Sequence, residues 1–416
     1  MFKNLINVSS GYIFRYLFQI VSFWIIAHQF GANLFGQFSA AICIASILSS
    51  ISGWGGYPLI VRDVSNNKDP QTSYTSTLVI TSALTVILVI IGLLINYIWF
   101  KEINAFPFFL LLISEIFFTS TLVNASSVFI SQSFFNYSSF IQILSGIVRC
   151  VAAIILYTFP IYNALDDNLL VYWSFLLLLS NFIVFLVCNY IISKKFGKFN
   201  VDFNNIKEHI KNGRWFSLMT LTESLYANLD KVILVSLIGY SELGKYSSAF
   251  RFVFIAYLPL NSILTIAYRK FFDLAKKNKL ECRRYAFQIQ KYTILYALFA
   301  ISSLIIFSFF IEFFLGENYE GTNLILRYMS IVLIFQAIYT PFNDYLISLK
   351  KEGLVTVLKF ISIIITIILN FILTKFYGTN GAIFSYIIGQ SFLCVFMFYT
   401  PNMKRDSLKN ELSEIK

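Results

Sequence analysis

FGANLFGQFSAA, from Phe30 to Ala41, returns 208 residues later as IGYSELGKYSSA, from Ile238 to Ala249. Gly31 aligns with Gly239, Gly36 with Gly244, Phe38 with Tyr246, Ser39 with Ser247 and Ala41 with Ala249. The offset is half of the 416-residue chain. Self-similarity at that distance marks a protein of two like halves.

Composition says where the halves reside. The chain is 57% hydrophobic, 18% aromatic and only 13% charged, whereas a soluble domain carries about 25% charged residues. The apolar runs are long and continuous, without the alternation of barrel strands, so they read as helices. They fall at 9–30, 36–58, 77–100, 106–131, 138–159, 169–193, 214–238, 246–268, 292–314, 324–348, 354–374 and 382–400. The expected fold is all-α: twelve transmembrane helices in two pseudo-symmetric six-helix bundles. The bundles take residues 1–193 and 214–400, joined by a cytoplasmic amphipathic linker at 194–213 and followed by a cytoplasmic tail at 401–416. Phe203, Ile206 and Ile210 share one helical face of that linker, as in an interfacial helix. No cleavable leader is read at the N-terminus, because the first apolar run is long enough to span.

The basic residues orient the spans. With the N-terminus inside, 23 of the 32 Lys and Arg fall on inside connections and only Lys101, Lys245 and Lys375 on outside ones. By the positive-inside rule both termini are expected in the cytoplasm. The net charge of +11 mostly expresses this bias. It is dispersed over separate loops and does not form a nucleic-acid patch.

Six spans per half is an even number, so both halves keep one orientation and repeat about an axis along the membrane normal. That pattern is expected of a transporter that binds its passenger where the halves meet and rocks to expose it on either side. The same offset pairs Arg15 with Glu223, and Arg62 with Lys270, at the inner ends of the second and eighth spans.

Nine charges lie inside the expected spans and away from the clear loops: Arg15, Glu115, Arg149, Glu223, Asp230, Lys231, Arg251, Arg327 and Lys359. Intramembrane charges are costly and usually face a bundle interior. Arg149 lies about 16 Å along its helix, too deep to snorkel. Arg15, Arg149, Lys231 and Arg251 are the candidate substrate contacts, since guanidinium groups bind phosphate oxygens bidentately and a cationic cavity suits an anionic passenger. Glu115, Glu223 and Asp230 are candidates for coupling or gating, together with Arg62, Lys270 and the helix-interior Pro259. A structural Glu115–Arg149 pair, an Asp230–Arg251 clamp on the outer side, and snorkelling of Arg327 and Lys359 are the alternatives that these positions leave open. Pro341 and the Gly53–Pro58 stretch are further hinge candidates.

No catalytic chemistry is legible. The five cysteines and two histidines show no metal-ligand spacing, and no nucleophile elbow or phosphate loop occurs. No metal, no cofactor and no enzyme activity are expected.

The chain resembles the Wzx-type O-antigen and polysaccharide repeat-unit flippases of the MOP superfamily, which includes the MATE drug exporters. The resemblance is carried by the Phe30-Gly31 to Gly36-Gln37-Phe38 turn, the Gly56 to Arg62 exit of the second span, Asp230-Lys231 followed by Gly239 and Gly244-Lys245-Tyr246, and Asn370 followed by Tyr377-Gly378-Thr379-Asn380-Gly381. It covers the whole chain. One departure is Ala267-Tyr268-Arg269-Lys270, where many relatives carry a proline. The resemblance implies a MATE-like fold and an undecaprenyl-diphosphate-linked oligosaccharide as passenger, moved from the inner to the outer leaflet of the bacterial inner membrane. It also implies a proton or sodium counter-ion, membrane lipids as surroundings, and an O-antigen polymerase and chain-length regulator as partners. A drug or metabolite exporter of the same fold is the first rival. A polysaccharide polymerase or lipid-linked glycosyltransferase is the second, and it would need a larger outer loop than the connection at Pro160 to Asn168.

Overall fold

The computed structural model describes residues 2–65, 67–158, 166–197 and 199–399. The expected tail at 401–416 lies outside the described residues, as do residues 160–165 of the Pro160–Asn168 connection. Among the described residues, fourteen α-helices follow in order. These are α1 (Phe2–Ser52), α2 (Gly56–Ser65), α3 (Pro70–Trp99), α4 (Ala105–Ile113), α5 (Ser120–Ser131), α6 (Phe135–Thr158) and α7 (Asp166–Phe196). Then come α8 (Phe203–Ile238), α9 (Tyr240–Lys277), α10 (Lys279–Ser308), α11 (Ile311–Leu315), α12 (Thr322–Ser330), α13 (Val332–Ser348) and α14 (Glu352–Tyr399). No strand occurs among the described residues.

Nine helical stretches among the described residues are long and apolar enough to cross a membrane. Two of them, Phe14–Val64 and Glu352–Phe398, are hairpins. In the first, Gly31 has φ 65° and ψ 176°, a conformation open essentially to glycine alone. The rings of Phe23 and Phe35 are 5.6 Å apart, although twelve residues of straight helix would separate them by about 18 Å. In the second, Gly378 has φ 61° and ψ −143°, and the Ser362 hydroxyl donates to the Gly389 carbonyl across the fold at 2.9 Å. With α8 as a further long helix, too charged to count by composition, the arrangement is consistent with twelve spans.

The repeat reappears as structure. Gly239 has φ 107° and ψ −177°, so Gly31 and its copy both make the turn with positive φ and extended ψ. Within their own units, Phe38 and Tyr246 are 1% and 0% exposed, Ser39 and Ser247 are both 5%, and Ala41 and Ala249 both 0%. The duplicated stretch carries a duplicated packing environment.

Several boundaries differ from the expected ones. The reversals at Gly31 and Gly378 use one residue each, and the flanking residues are already helical. The second arm of α1 ends at Ser52 instead of 58. A turn through Trp54 (φ 45°) and Gly55 (φ 67°) then leads into the short α2. The basic connection 269–291 is not a loop: α9 and α10 occupy it except at Asn278, whose side chain accepts from Leu280 N at 2.9 Å and caps α10. Its Lys, Arg, Leu and Ala are good helix formers, so the helix continues after the apolar run stops.

The chain divides into two compact units, Met1–Ser236 and Leu237–Lys416. In the first, α1 packs closely on α6 through glycines: a Cβ on Gly11 would lie 2.7 Å from Ser139 Cα, and one on Gly146 3.0 Å from Arg15 Cα. Small residues let membrane helices approach closely where no hydrophobic effect drives them together. The linker region is structured. From Phe203 it is the first part of α8, and its polar side is the buried one: Asn205 is 6% and His209 0% exposed. Phe203 and Ile210, on the face expected to lie in the interface, are 75% and 48% exposed.

Candidate functional site

The close α1–α6 packing sets one end of a charged pocket in the first unit. Arg15 is held at the Gly146 contact, and its side chain follows α6 to Gln142, where Nη1 donates to Oε1 at 2.5 Å. Gln142, Ser145 and Arg149 recur at i, i+3 and i+7, so they share the same face of α6. Between α4 and α5 a π-turn at Ser114–Thr119 interrupts the helix. Such bulges re-aim side chains and are frequent at functional sites. This one carries Glu115, whose Oε2 accepts from Thr119 Oγ1 at 3.2 Å. Asn181 Nδ2 on α7 donates to Ser114 Oγ at 2.9 Å and pins the bulge.

Arg15, Glu115 and Arg149 thus line one cavity of about 50 Å³. Its charge balance is two cations to one anion. Among the described residues Arg149 makes no hydrogen bond and no ion pair within 4.0 Å, so the direct Glu115–Arg149 bridge is not formed here. A second cavity of about 200 Å³, lined by Ser49, Ser50, Ser120, Asn124 and Thr220, shares Thr119 and Val123 with it and reaches Gly53–Pro58. The two cavities therefore adjoin at Thr119 and Val123, between the end of α1 and the three charges.

The other candidates lie apart from this pocket. Glu223 is exposed on α8 and makes no ion pair with Arg15 in this conformation. Asp230 and Lys231 are 4% and 6% exposed on α8; Lys231 Nζ donates to the Ala227 carbonyl and lies 3.5 Å from Asp230 Oδ1. Arg251 is half-buried on α9 in the second unit. Arg62 pairs with its neighbour Asp63 at 3.1 Å, and Lys270 lies over the Tyr285 ring at 4.6 Å. Pro259 and Pro341 sit inside α9 and α13. Arg327 is held by Ser308 Oγ at 2.7 Å and covers the Phe309 ring at 4.2 Å; Lys359 is half-buried.

Two buried ionisable sites, one of them a pair, escaped the sequence reading. Asp63 and His209, both 0% exposed, bond at 2.6 Å although 146 residues separate them. Asp344, 7% exposed in the second unit, accepts from Asn343 Nδ2 at 3.0 Å. Asp344 sits in the last turn of its apolar run, where a carboxylate reads as an end-of-helix residue. For the pair the only signal was a histidine on the polar face of the linker.

The family described as "Polysaccharide biosynthesis protein" matches residues 1–268. The chain belongs to that family. A second family, MatE, matches residues 216–374. A search of the curated proteins finds no match. Among solved structures, the chain is similar to an inward-facing multidrug resistance MATE family transporter of the MOP superfamily, with a TM-score of 0.79, 14% identity, and 95% of this chain and 96% of that one covered. The outward-facing conformation of such a transporter matches with a TM-score of 0.67 at 14% identity, covering 98% and 96%. A MOP superfamily transporter from Pyrococcus furiosus, described as having a binding pocket of reverse polarity, matches at 0.66 and 15% identity, covering 98% and 96%. The chain is therefore a multi-pass membrane protein of the polysaccharide biosynthesis family with the MATE fold. The solved structures that share its fold are described as transporters.

Proposed function

We propose that this transporter flips an undecaprenyl-diphosphate-linked oligosaccharide, an O-antigen-type repeat unit, from the inner to the outer leaflet of the bacterial inner membrane by alternating access. The observation that carries the reading is the first-unit pocket, where Arg15 and Arg149 meet against a single carboxylate. A net positive, partly desolvated pocket favours a diphosphate over the cationic drugs that a carboxylate-rich cavity would take. The polysaccharide family match, which includes this whole pocket, supports the same passenger class. Lys231 and Arg251 are proposed as further contacts. Glu115, Glu223 and Asp230 are proposed to couple the cycle to protons or sodium ions. By repeat, the halves are 1–193 and 214–400, with 194–213 between them.

The test is complementation of flippase-deficient strains that make different repeat units. Surface glycan should return in at least one of them. Failure in all of them, together with efflux of a small cationic drug, would favour the exporter reading, which the MatE match to residues 216–374 supports. Topology is tested separately. Single cysteines at Lys101 and Lys245 should react with an impermeant thiol reagent in intact cells, and one at Lys277 only after permeabilisation. Labelling of the Lys277 position from outside would overturn the proposed cytoplasmic termini.

A further inference from the structure

α8 is the first span of the second half by repeat, yet a series of its bonds runs to other elements of the first unit. Asn205 Nδ2 donates to Ser76 Oγ at 3.1 Å, and Trp54 Nε1 donates to the Ile210 carbonyl at 3.0 Å. Deeper along the helix, Thr220 Oγ1 donates to the Ser50 carbonyl and Ser224 Oγ to the Ser46 carbonyl, both at 3.0 Å. From 205 to 224 these contacts extend over about 28 Å of helix, close to the roughly 30 Å of a bilayer core. Two glycines allow the approach: a Cβ on Gly213 would lie 2.3 Å from the Trp54 carbonyl oxygen, and one on Gly55 2.4 Å from Phe216 Cβ.

The centre of the attachment is the Asp63–His209 bond. Both side chains are fully buried, with Asp63 also 3.1 Å from Arg62 and 3.8 Å from Lys68. Lys68 bridges on to Glu208 at 2.7 Å, so α2, α3's approach and α8 are tied in one network. His209 Nδ1 is buried without a partner, so the imidazole's one fixed bond is the one to Asp63. At its other end α8 stops at Gly239, whose positive φ is met by no atom within 4 Å of a built Cβ. The helix is anchored to the first unit at these positions and breaks at a residue that is sterically free.

We infer that Asp63 and His209 are positioning residues of the transport cycle: they latch α8 to the first unit, so that this helix travels with the first unit instead of with the half to which the repeat assigns it. A buried polar group that loses its hydrogen-bond partner is left unsatisfied, so the latch opens when either member is removed. The inference rests on the transporter reading, and one arm of its test does not use transport.

In the full-length chain carrying Cys394→Ser, Ser76→Cys and Asn205→Cys are joined by a short reducible bis-thiol reagent. The probe of transport is surface display of the host's own lipid-linked glycan in a flippase-deficient strain. The joined protein should keep at least half of its transport. His209→Ala should lower transport at least about tenfold, and joining 76 to 205 in that variant should restore at least half of it. His209→Gln, which retains an N–H donor for Asp63, should stay near wild type. Independently, trypsin should cut at Lys207 and Lys211 about tenfold faster in His209→Ala membranes, because local opening governs cleavage. Loss of transport on joining the otherwise unmodified latch, recovered by reduction, overturns the inference, since α8 would then have to leave the first unit. An unchanged trypsin rate or unchanged transport in His209→Ala overturns it as well.

Discussion

Arg149→Ala is expected to cut glycan export at least about a hundredfold while the protein reaches the membrane at wild-type level. A guanidinium that grips a phosphate makes two charge-assisted hydrogen bonds, each worth about 1.5–3 kcal/mol, and roughly 1.4 kcal/mol is a factor of ten. Arg149 has no hydrogen bond or ion pair within 4.0 Å among the described residues, and Glu115 keeps its bond from Thr119 when the arginine is gone. Arg15 likewise keeps Gln142. Removal strands no hydrogen-bond partner, and Glu115 keeps Arg15 as a cation in the same pocket, so the protein should still fold and insert. Arg149→Lys separates charge from shape: it keeps the point charge and loses the planar fork, so export should fall between the alanine variant and wild type. Surface glycan is measured against membrane protein level in the complemented strain. Normal export by Arg149→Ala would remove this residue from the passenger's path.

The spans were legible because the membrane writes itself into hydropathy. The helices were less so, since hydropathy reports where lipid ends and not where a helix ends. Residues 269–291 read as a loop because Lys276, Lys277 and Arg283 are polar, yet they are helical. The reversal after the first span was placed correctly by Gly31 and too widely by its neighbours, because one positive-φ glycine suffices to turn a helix back. Arg149 was visible as a charge too deep to snorkel. Its meeting with Arg15 was not, because that depends on Gly146 letting α1 lie against α6. The π-turn that aims Glu115 has no sequence period of its own. The Asp63–His209 bond joins residues from different helices, and one sequence shows each only as an ordinary polar residue near an inside loop. Local patterns were readable, and pairings that arise from packing were not.

Gly381→Ala is expected to lower the thermal unfolding midpoint in detergent by roughly 1–4 °C. In a helix interior alanine is ordinarily the better residue by about 0.8–1 kcal/mol, so propensity alone predicts the opposite sign. Packing decides. A Cβ on Gly381 would sit 2.0 Å from the Leu373 carbonyl oxygen and 2.7 Å from Thr374 N, both backbone atoms of the facing arm of the α14 hairpin. Backbone cannot swing aside as a side-chain tip does, and forced overpacking costs about 1–3 kcal/mol, occasionally more. Here it also pries apart arms that are joined further along by the Ser362–Gly389 bond. Gly353 provides the control on the same helix: nothing lies within 4 Å of its Cβ position, so Gly353→Ala should hold or raise the midpoint. Equal effects of the two substitutions would mean that the arms do not approach as closely as 2.0 Å implies, and that the reversal at Gly378 is looser than its dihedral angles indicate.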